Sequence, residues 1–361
     1  MKKKRMILTI LVCILAAVSW YYEEFLYQPE PMSGLDVYFI DVGQGDAALL
    51  VCDGYTMLID GGDNSAENTV ADFLTGHGIT YLDYIVSTHP HADHCGGLDA
   101  AAQVADIGTV WSPCLTYDTR SFRDFADTCA QKGVGITIPE VDTPYALGDA
   151  TVTVLYPRDQ NVPENVNDWS IVLRVDYGET SFLFTGDAER EAEQAMLDRG
   201  ADLSATVLKA GHHGSDTSTT YPFLREVMPE YAVISVGANN SYGHPTAGAL
   251  SRLRDAGATI FRTDLQGDIF AVSDGKTVTF TTSKQASQEE ILQGAGSTSS
   301  SDPGQQNPIS ATYVLNTNTM KFHYADCSSA QKISDKNKGY YTGSRTELIQ
   351  MGYSPCGICK P

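Results

Sequence analysis

From residue 34 onward, apolar and polar positions alternate in short runs that suit strands and longer runs that suit helices. The stretch LDVYFIDVGQGDAALLVCDGYTMLIDGGDN predicts three strands joined by turns that contain glycine. Later runs of both kinds continue through YAVISV, GALSRLRDAG and TIFRTD. The alternation predicts a layered α/β domain. The predicted strands are 35–41, 47–52, 56–60, 84–87, 151–156, 170–177, 180–185 and 206–209, and the predicted helices are 67–77, 121–132 and 189–198.

Composition divides the chain from residue 34 onward into three parts. Residues 34–282 contain 13 Lys and Arg against 36 Asp and Glu, a net charge of −23. Residues 283–310 are rich in Ser, Gly, Gln and Pro and predict a flexible linker. Residues 311–361 regain aromatic residues and cysteines, carry a net charge of +3, and predict a separate small domain. The acidic main domain argues against nucleic-acid binding by its whole surface, but it is compatible with an anionic substrate at a site whose cations are metals.

The segment 1–33 has the pattern of a membrane-targeting sequence. Four basic residues precede an uncharged run, residues 6–22, of about 17 residues. This pattern is typical of a secretory signal or of an anchor of barely spanning length, and a short core helix is the other alternative. Because no clear small-x-small cleavage site follows, we expect a single-pass anchor in the cell membrane, with secretion as the alternative. Basic residues stay on the cytoplasmic side, so we expect the bulk of the protein to be extracellular.

The loop after the predicted strand 84–87 is the strongest chemical signal in the chain. His89, His91, Asp93 and His94 fall within six positions, and Gly96–Gly97 follow. Residues two apart on an extended loop project to the same side, so a short loop that turns into a helix can aim these side chains at two adjacent points. Neutral imidazole and carboxylate suit Zn²⁺ as well as Mn²⁺ or Fe²⁺. A polar surface loop without a metal is the alternative.

The motif THPHADHCGG resembles the His-x-His-x-Asp-His signature of the metallo-β-lactamase superfamily. The resemblance implies a four-layer αββα sandwich with a two-metal site at the edge of its sheets. It also implies that Asp60 in LIDGG orients ligand histidines and that Asp187 in LFTGDAE bridges the metals. Asp187 is also suited to capping the helix that follows it. In GHHGS, the resemblance implies that one of His212 and His213 is a ligand, and we favour His212.

The residue types and the resemblance together divide the ligands between two divalent ions, Zn²⁺ or Mn²⁺. The expected sets are His89 and His91 for one ion, Asp93, His94 and His212 for the other, and Asp187 for both. Two such ions lie roughly 3.5–4 Å apart and lower the pKa of a shared water. The expected nucleophile is the resulting hydroxide, with charge on the attacked group offset by the metals and the proton managed by Asp93 or another carboxylate.

One departure from the family pattern concerns a sixth histidine, which many members place between the histidine loop and the bridging aspartate. No histidine occurs from residue 95 to residue 211. In NVNDWSIVLR, Asn167 or Asp168 stands in that place, and Asp168 is a candidate metal ligand. An oxygen ligand or an open position favours a harder ion such as Mn²⁺ and argues against β-lactam or thioester hydrolysis. His244 in YGHPTAGAL is a catalytic candidate for contacting substrate, or else a polar turn residue before a helix.

The order of the motifs is more specific than any one of them. FIDVGQGDA, LIDGG, HPHADHCGG, LFTGDAE, GHHGS and YGHP follow one another within residues 35–282. Together they resemble the hydrolase domain of the ComEC type, which occurs attached to bacterial competence DNA-uptake channels and also alone. The resemblance implies a phosphodiesterase or nuclease for an anionic substrate such as single-stranded DNA. The alternatives are an esterase for cell-wall polymer (phosphorylcholine or teichoic acid), a lactone hydrolase and a non-catalytic surface binding module; no obligate protein partner is expected.

The tail carries a second candidate metal site. His323, Cys327, Cys356 and Cys359 have the types and spacing of a tetrahedral structural zinc site. The alternative is one disulfide and a free third cysteine. The segment resembles the metal-binding domain of the Ada DNA-repair protein, but His323 stands where that family has its methyl-accepting cysteine, so we do not expect methyl transfer. DNA or an anionic wall polymer is a candidate partner of this tail.

Overall fold

A computed structural model describes residues 34–157, 162–294, 311–324, 327–343, 348 and 351–356. The predicted anchor and residues 295–310 of the predicted linker lie outside these ranges. Within them, no helix combines the length and the apolar character of a membrane span. The strands are β1 (Leu35–Phe39), β2 (Ala48–Cys52), β3 (Tyr55–Ile59), β4 (Tyr81–Val86), β5 (Asp106–Trp111), β6 (Ile136–Thr137), β7 (Pro144–Leu147), β8 (Ala150–Tyr156), β9 (Val172–Tyr177), β10 (Thr180–Phe184), β11 (Val207–Lys209), β12 (Tyr231–Ile234), β13 (Thr259–Arg262), β14 (Ile269–Ser273), β15 (Val278–Thr282), β16 (Ala311–Asn316), β17 (Lys321–His323), β18 (Lys338–Gly343) and β19 (Ser354–Pro355). The helices are α1 (Glu67–Gly76), α2 (Ala92–Cys95), α3 (Leu98–Val104), α4 (Arg120–Gln131), α5 (Arg190–Asp198), α6 (Tyr221–Val227), α7 (Ala247–Asp255), α8 (Thr263–Gln266), α9 (Gln288–Ile291) and α10 (Ser328–Gln331).

Two mixed sheets form the main domain. The first has the order β15-β14-β1-β2-β3-β4-β5-β6, and its strands are parallel from β3 to β6. The second has the order β13-β12-β11-β10-β9-β8-β7, and its strands are parallel from β13 to β10. Each sheet therefore combines a parallel half with an antiparallel half. The carboxyl ends of parallel strands open onto one edge of a sheet, which is where loops that carry function collect.

Successive side chains of a strand point to opposite faces of its sheet, and in these two sheets both faces carry apolar side chains. In β2, Leu50 and Cys52 face the other sheet, whereas Leu49 and Val51 face the helices. In β10, Phe182 belongs to the inner core, and its neighbour Leu183 to the outer one. Because both faces are covered, these strands read as continuous apolar runs rather than as an alternation.

Helices cover the outer face of each sheet. On the first sheet, α1, α3 and α4 contribute buried side chains such as Leu74, Leu98 and Phe125. On the second, α5, α6 and α7 contribute Met196, Leu253 and other buried residues. The layers are therefore helix, sheet, sheet and helix, which confirms the αββα sandwich predicted from the sequence.

The start of the predicted linker differs from the expectation. Residues 283–294 are packed against the main domain, and α9 buries Ile291 to 1% exposure. The guanidinium of Arg262 donates to the carbonyls of Ile291 (3.0 Å) and Gln293 (2.5 Å). A capping box at Ser287 begins α9. The composition of this stretch is polar, but burial of Ile291 and the hydrogen bonds from the buried Arg262 hold it against the main domain.

The described part of the tail forms a small sheet of its own, in the order β18-β16-β17-β19. Strand β16 pairs antiparallel with β17 and β18, and β17 pairs parallel with β19. Val314, Ala330 and Ile333 form a small apolar cluster together with two cysteines. A second small cluster contains Tyr313, Leu315, Phe322 and Leu348. Two apolar clusters of this size indicate that the segment needs another source of stability.

Candidate metal centre

Loops at the carboxyl ends of strands from both sheets bring the candidate residues together. In the first sheet, Asp60 follows β3, and the histidine loop follows β4. In the second sheet, Asp187 follows β10, and the turn Gly211–Gly214 follows β11. Since β3 and β4 are parallel to one another and so are β10 and β11, each pair of loops lies at one edge. The two edges face each other across the sandwich.

Four of the candidate ligands form a tight cluster. One ligand atom from each of Asp93, His94, Asp187 and His213 lies within 4.8 Å of the others. His94 Nε2 is 3.2 Å from Asp187 Oδ1, and His213 Nε2 is 3.4 Å from Asp93 Oδ2. Within the described residues, His94 Nε2, Asp187 Oδ1 and His213 Nε2 are buried without a hydrogen-bond partner. Buried polar atoms of this kind are rare unless a ligand satisfies them, so the cluster fits a divalent metal ion.

Asp60 lies where the sequence predicted an orienting residue. Its Oδ2 is 2.8 Å from His94 Nδ1 and accepts the Thr88 hydroxyl at 2.7 Å, while its Oδ1 accepts the Thr88 N–H at 2.8 Å. A carboxylate on Nδ1 fixes the ring so that Nε2 faces the cluster. Burial raises the pKa of Asp60, although His94 opposes that shift.

Charge in the cluster is concentrated on Asp93 and Asp187. Burial would raise the pKa of Asp187, but the charges of His94 and His213 outweigh burial and hold that pKa well below its ordinary value. Burial also acts against ionisation of Asp93, but the His213 ring, whose Nε2 is 3.4 Å from Asp93 Oδ2, and the charge of His94 hold the pKa of Asp93 low as well. Both carboxylates are therefore in the ionised form that binds metals.

His89 and His91 lie beside this cluster rather than within it. His89 Nε2 and His91 Nδ1 are 3.0 Å apart. The other nitrogen of His89 contacts the hydroxyls of Thr88 (3.2 Å) and Ser170 (3.3 Å). Burial is the main cause that lowers the pKa of both histidines, so both are neutral and able to act as ligands. The two nitrogens are close enough to bind the same ion, and the metal that the sequence analysis assigns to this pair stays a prediction.

The two histidines of GHHGS have different surroundings. His213 is 1% exposed and belongs to the cluster. His212 Nδ1 is 2.9 Å from Glu189 Oε1, and its Nε2 is 3.6 Å from Asp187 Oδ2, outside the four-residue cluster. The geometry therefore favours His213 as the ligand, against the sequence-based preference for His212. Both residues have positive φ, 48° and 54°, so consecutive side chains point in different directions.

The structure also corrects the position of Asp168. Its Oδ1 accepts the backbone N–H groups of Glu189 (2.9 Å) and Ala192 (3.3 Å), so this carboxylate caps the start of α5 instead of facing the metals. The preceding residue, Asn167, lines the pocket in its place. Asn167 Nδ2 donates to Glu189 at 2.8 Å, and its Oδ1 is buried without a hydrogen-bond partner among the described residues. Asn167 was the other residue that the sequence offered for this position.

A cavity of about 340 Å³ opens onto the cluster, and its lining residues contain no Lys or Arg. Tyr242 and His244 form one wall, with ring centroids 6.0 Å apart and planes at 18°. Burial, followed by the charges of His212 and His213, lowers the pKa of His244 to about 4. His244 thus reaches the cavity in the neutral form. The cavity is lined by Gln44, His91, Ala92, Asp93, Asn167, Asp187, His212, His213, Tyr242 and His244.

Sequence reasoning missed three polar residues around the cluster, namely Asp46, Lys209 and Glu189. Asp46 Oδ1 is 3.1 Å from His213 Nδ1, and Lys209 Nζ is 2.8 Å from Asp46 Oδ2. Glu189 links His212 and Asn167. Asp46 and Glu189 lie within the motifs FIDVGQGDA and LFTGDAE, and Lys209 ends the predicted strand 206–209. A single sequence does not show which of these residues meet in space.

Three of the four predicted ligands in the tail also come together. Ligand atoms of His323, Cys327 and Cys356 lie within 4.8 Å of one another, and all three residues are buried. Cys327 Sγ is 3.6 Å from His323 Nδ1. The fourth predicted ligand, Cys359, lies outside the described residues. The described residues fit a tetrahedral zinc site that lacks one ligand.

Comparison with known proteins agrees with this geometry. The family model described as "Metallo-beta-lactamase superfamily" matches residues 40–238. The chain is 30% identical over 252 residues to ComE operon protein 3 of Bacillus subtilis and 32% identical over 246 residues to competence protein ComA of Neisseria gonorrhoeae. These matches cover 65% and 67% of this chain but only 32% and 33% of the relatives, so the chain spans about a third of their length.

Among solved structures, the metallo-β-lactamase fold protein YhfI from Bacillus subtilis aligns with a TM-score of 0.42 at 13% identity, over 68% of this chain and 100% of that one. The family model covers more than half of the chain, and its range includes the histidine loop, Asp187 and His213. The chain therefore belongs to the metallo-β-lactamase superfamily of metal-dependent hydrolases.

Proposed function

We propose that the protein is a metal-dependent phosphodiesterase that cleaves single-stranded nucleic acid. The observation that carries the proposal is the cluster of Asp93, His94, Asp187 and His213, whose ligand atoms converge within 4.8 Å. Three of those atoms are buried without a hydrogen-bond partner among the described residues. Without a bound cation this arrangement would destabilise the fold, because buried polar atoms without a partner cost free energy.

We further propose that His89 and His91 hold a second ion next to the first. Bound divalent ions lower the pKa of water and offset the charge that develops on a phosphoryl group. The residues around them have separate tasks. Asp60 holds His94 in the ligand orientation, and Asp93, whose side chain is 31% exposed, faces the cavity where a proton must be accepted. The side chain of His244 is neutral and can hydrogen-bond to a substrate oxygen or to a leaving group.

The lining of the cavity favours a substrate that has both a phosphate and a planar ring. Its lining offers no Lys or Arg to bind phosphates, so the negative charge of a substrate must be met by the metals. Tyr242 is 67% exposed at the rim, and two hydrogen bonds from Asn240 to nearby carbonyls fix its loop. An aromatic ring that is exposed beside a reaction site, on a loop fixed by hydrogen bonds, is suited to stacking on a base.

The similar proteins point in the same direction. The Neisseria gonorrhoeae relative is named a competence protein, and another, from Haemophilus influenzae, is named recombination protein 2, with 27% identity over 267 residues. Competence and recombination are processes that handle DNA. Cleavage of a nucleic-acid strand is therefore favoured over hydrolysis of a lactone or of a wall polymer.

The test is hydrolysis of bis-p-nitrophenyl phosphate and of a single-stranded oligonucleotide in the presence of Zn²⁺ or Mn²⁺. We expect Asp187→Asn and His91→Ala to lower kcat/KM by more than about 100-fold, since loss of a group that only orients a ligand already costs about 10–100-fold. Asp118→Asn, at a side chain that is 98% exposed, is the matched control and should keep full activity. Metal-loaded protein that cleaves neither substrate, but cleaves a lactone or a phosphorylcholine ester, would contradict the proposal.

A further inference from the structure

A buried ion pair between Lys209 and Asp46 lies directly behind the metal cluster. The Nζ and Oδ2 atoms are 2.8 Å apart, and the side chains are 4% and 7% exposed. Lys209 Nζ also donates to the carbonyl of Ala210 at 2.9 Å. Neither residue is among those that line the substrate cavity. Because a buried ion pair is seldom better for stability than apolar side chains of the same size, stability alone is a poor reason for this one.

Asp46 is attached to the loops of the first sheet through its backbone. Its N–H donates to the carbonyl of Asp93 at 3.1 Å, and its carbonyl accepts the N–H of Gly62 at 2.8 Å. The contact is close, since a Cβ on the preceding residue, Gly45, would lie 2.3 Å from the Asp93 carbonyl oxygen. The position of Asp46 is therefore tied to that of Asp93.

Lys209 and His213 belong to the second sheet. Lys209 is the last residue of β11, and His213 lies four residues later in the turn that follows. His213 Nδ1 is 3.0 Å from the carbonyl oxygen of Ser235 and 3.1 Å from Asp46 Oδ1. The N–H direction favours the carbonyl, so the Asp46 oxygen contacts the ring mainly as a charge. Both acceptors face Nδ1, and this leaves Nε2 directed at the cluster, 3.4 Å from Asp93 Oδ2.

We propose that the Lys209–Asp46 pair is a strut between the two sheets that sets the separation and orientation of the ligand atoms of Asp93 and His213. The pair connects the β1–β2 loop, which is hydrogen-bonded to the backbone of Asp93, with the strand that precedes His213, and the carboxylate contacts the His213 ring directly. Lys209 and Asp46 are thus positioning residues. The inference rests on the proposed metal centre but not on the identity of the substrate.

The experiment is a cycle of variants in which the affinity for Mn²⁺ is measured by electron paramagnetic resonance. Mn²⁺ is chosen because the tail site offers soft thiolates, which select against it. The variant Asp46→Asn/Lys209→Met removes both charges together, since such replacement of a buried pair is usually tolerated by the fold. We expect its Mn²⁺ affinity to fall about 10–100-fold. Adding the same two changes to His213→Ala should cause a smaller loss, because one of the two ligands that they position is already absent.

The matched control is Arg262→Met/Asp264→Asn. That pair is 2.7 Å long with side chains 4% and 8% exposed, and it holds residues 290–293 instead of the cluster. We expect the control to leave Mn²⁺ affinity unchanged. An unchanged affinity in Asp46→Asn/Lys209→Met, or an equal loss in the parent and His213→Ala backgrounds, would overturn the strut alone. An unchanged affinity in His213→Ala itself would overturn both the strut and the metal centre.

Discussion

Asp60 Oδ2 lies 2.8 Å from His94 Nδ1, and both side chains are completely or almost completely buried. The contact leaves Nε2 as the only His94 nitrogen that can reach the metal cluster. We expect Asp60→Asn to lower Mn²⁺ affinity about 10–100-fold, because the amide is a weaker partner for the ring N–H than the carboxylate. The affinity is measured by titration of metal-free protein. Asp36→Asn, at a carboxyl that is 4% exposed in β1, is the control, and an equal loss in both variants would contradict an orienting role.

Glu193 gives the protein a specific dependence of stability on pH. Burial raises the pKa of this carboxyl to about 7, although hydrogen bonds from Thr219 and Thr220 oppose the shift. Between its ordinary pKa of 4.5 and about 7, the folded state keeps a proton that the unfolded state has lost. The free energy of unfolding therefore falls as pH rises through this window, by about 1.4 kcal/mol per pH unit.

The corresponding variant is Glu193→Gln, which cannot titrate. We expect its melting temperature, relative to that of the parent, to rise steadily from pH 5 to pH 7 and to stay level above pH 7. The measurement is thermal unfolding of both proteins across that range. If the melting temperatures of the two proteins change in parallel with pH, the prediction is wrong. Glu193 is then ionised over the whole pH range and is stabilised in that form by its three hydrogen bonds with Thr219 and Thr220.

Tyr242 tests whether the substrate carries bases. Stacking of one base on an aromatic side chain contributes about 1–3 kcal/mol. We expect Tyr242→Ala to raise KM for a single-stranded oligonucleotide about tenfold or more, and Tyr242→Phe to keep the parent value. The same variants are assayed on an oligonucleotide of equal length without bases. If Tyr242→Ala affects both substrates equally, the ring contributes to the shape of the cavity and not to stacking.

The tail should hold one zinc ion independently of the hydrolase site. His323, Cys327 and Cys356 supply three ligands, and an apolar cluster as small as the one around them needs metal to fold. We expect Cys356→Ser to remove one equivalent of zinc, measured by elemental analysis, and to leave phosphodiester hydrolysis intact. Cys129→Ser, at a buried cysteine of the main domain, should keep that zinc. Equal zinc content in the two variants would contradict the assignment.

The histidine loop was predictable because its ligands are close in sequence. His89, His91, Asp93 and His94 occupy six positions, and the strand before them is a continuous apolar run. The layers were also predictable from local sequence, because apolar strands and helices alternate over most of the main domain. Strands β5, β6, β7, β14 and β15 of the main domain were not predicted. Strand β15, with the sequence VTFTT, has too few apolar residues to stand out.

The remaining ligands depend on geometry that the sequence does not display. His212 and His213 are adjacent, and only the left-handed backbone at both positions decides which ring enters the cluster. Asn167 and Asp168 lie in one 3₁₀ turn, in which neighbouring side chains project roughly 120° apart. The pair of Asp46 and Lys209 forms only when the two sheets pack together. Such contacts between distant segments need a structure.

Asp93, His94, Asp187 and His213 together are expected to hold one divalent metal ion. The most direct measurement is anomalous diffraction at the zinc absorption edge from crystals grown with Zn²⁺. We expect a strong peak about 2.0–2.2 Å from His94 Nε2, His213 Nε2 and an oxygen of Asp187. A crystal that shows zinc in the tail but no peak among these four residues would contradict it.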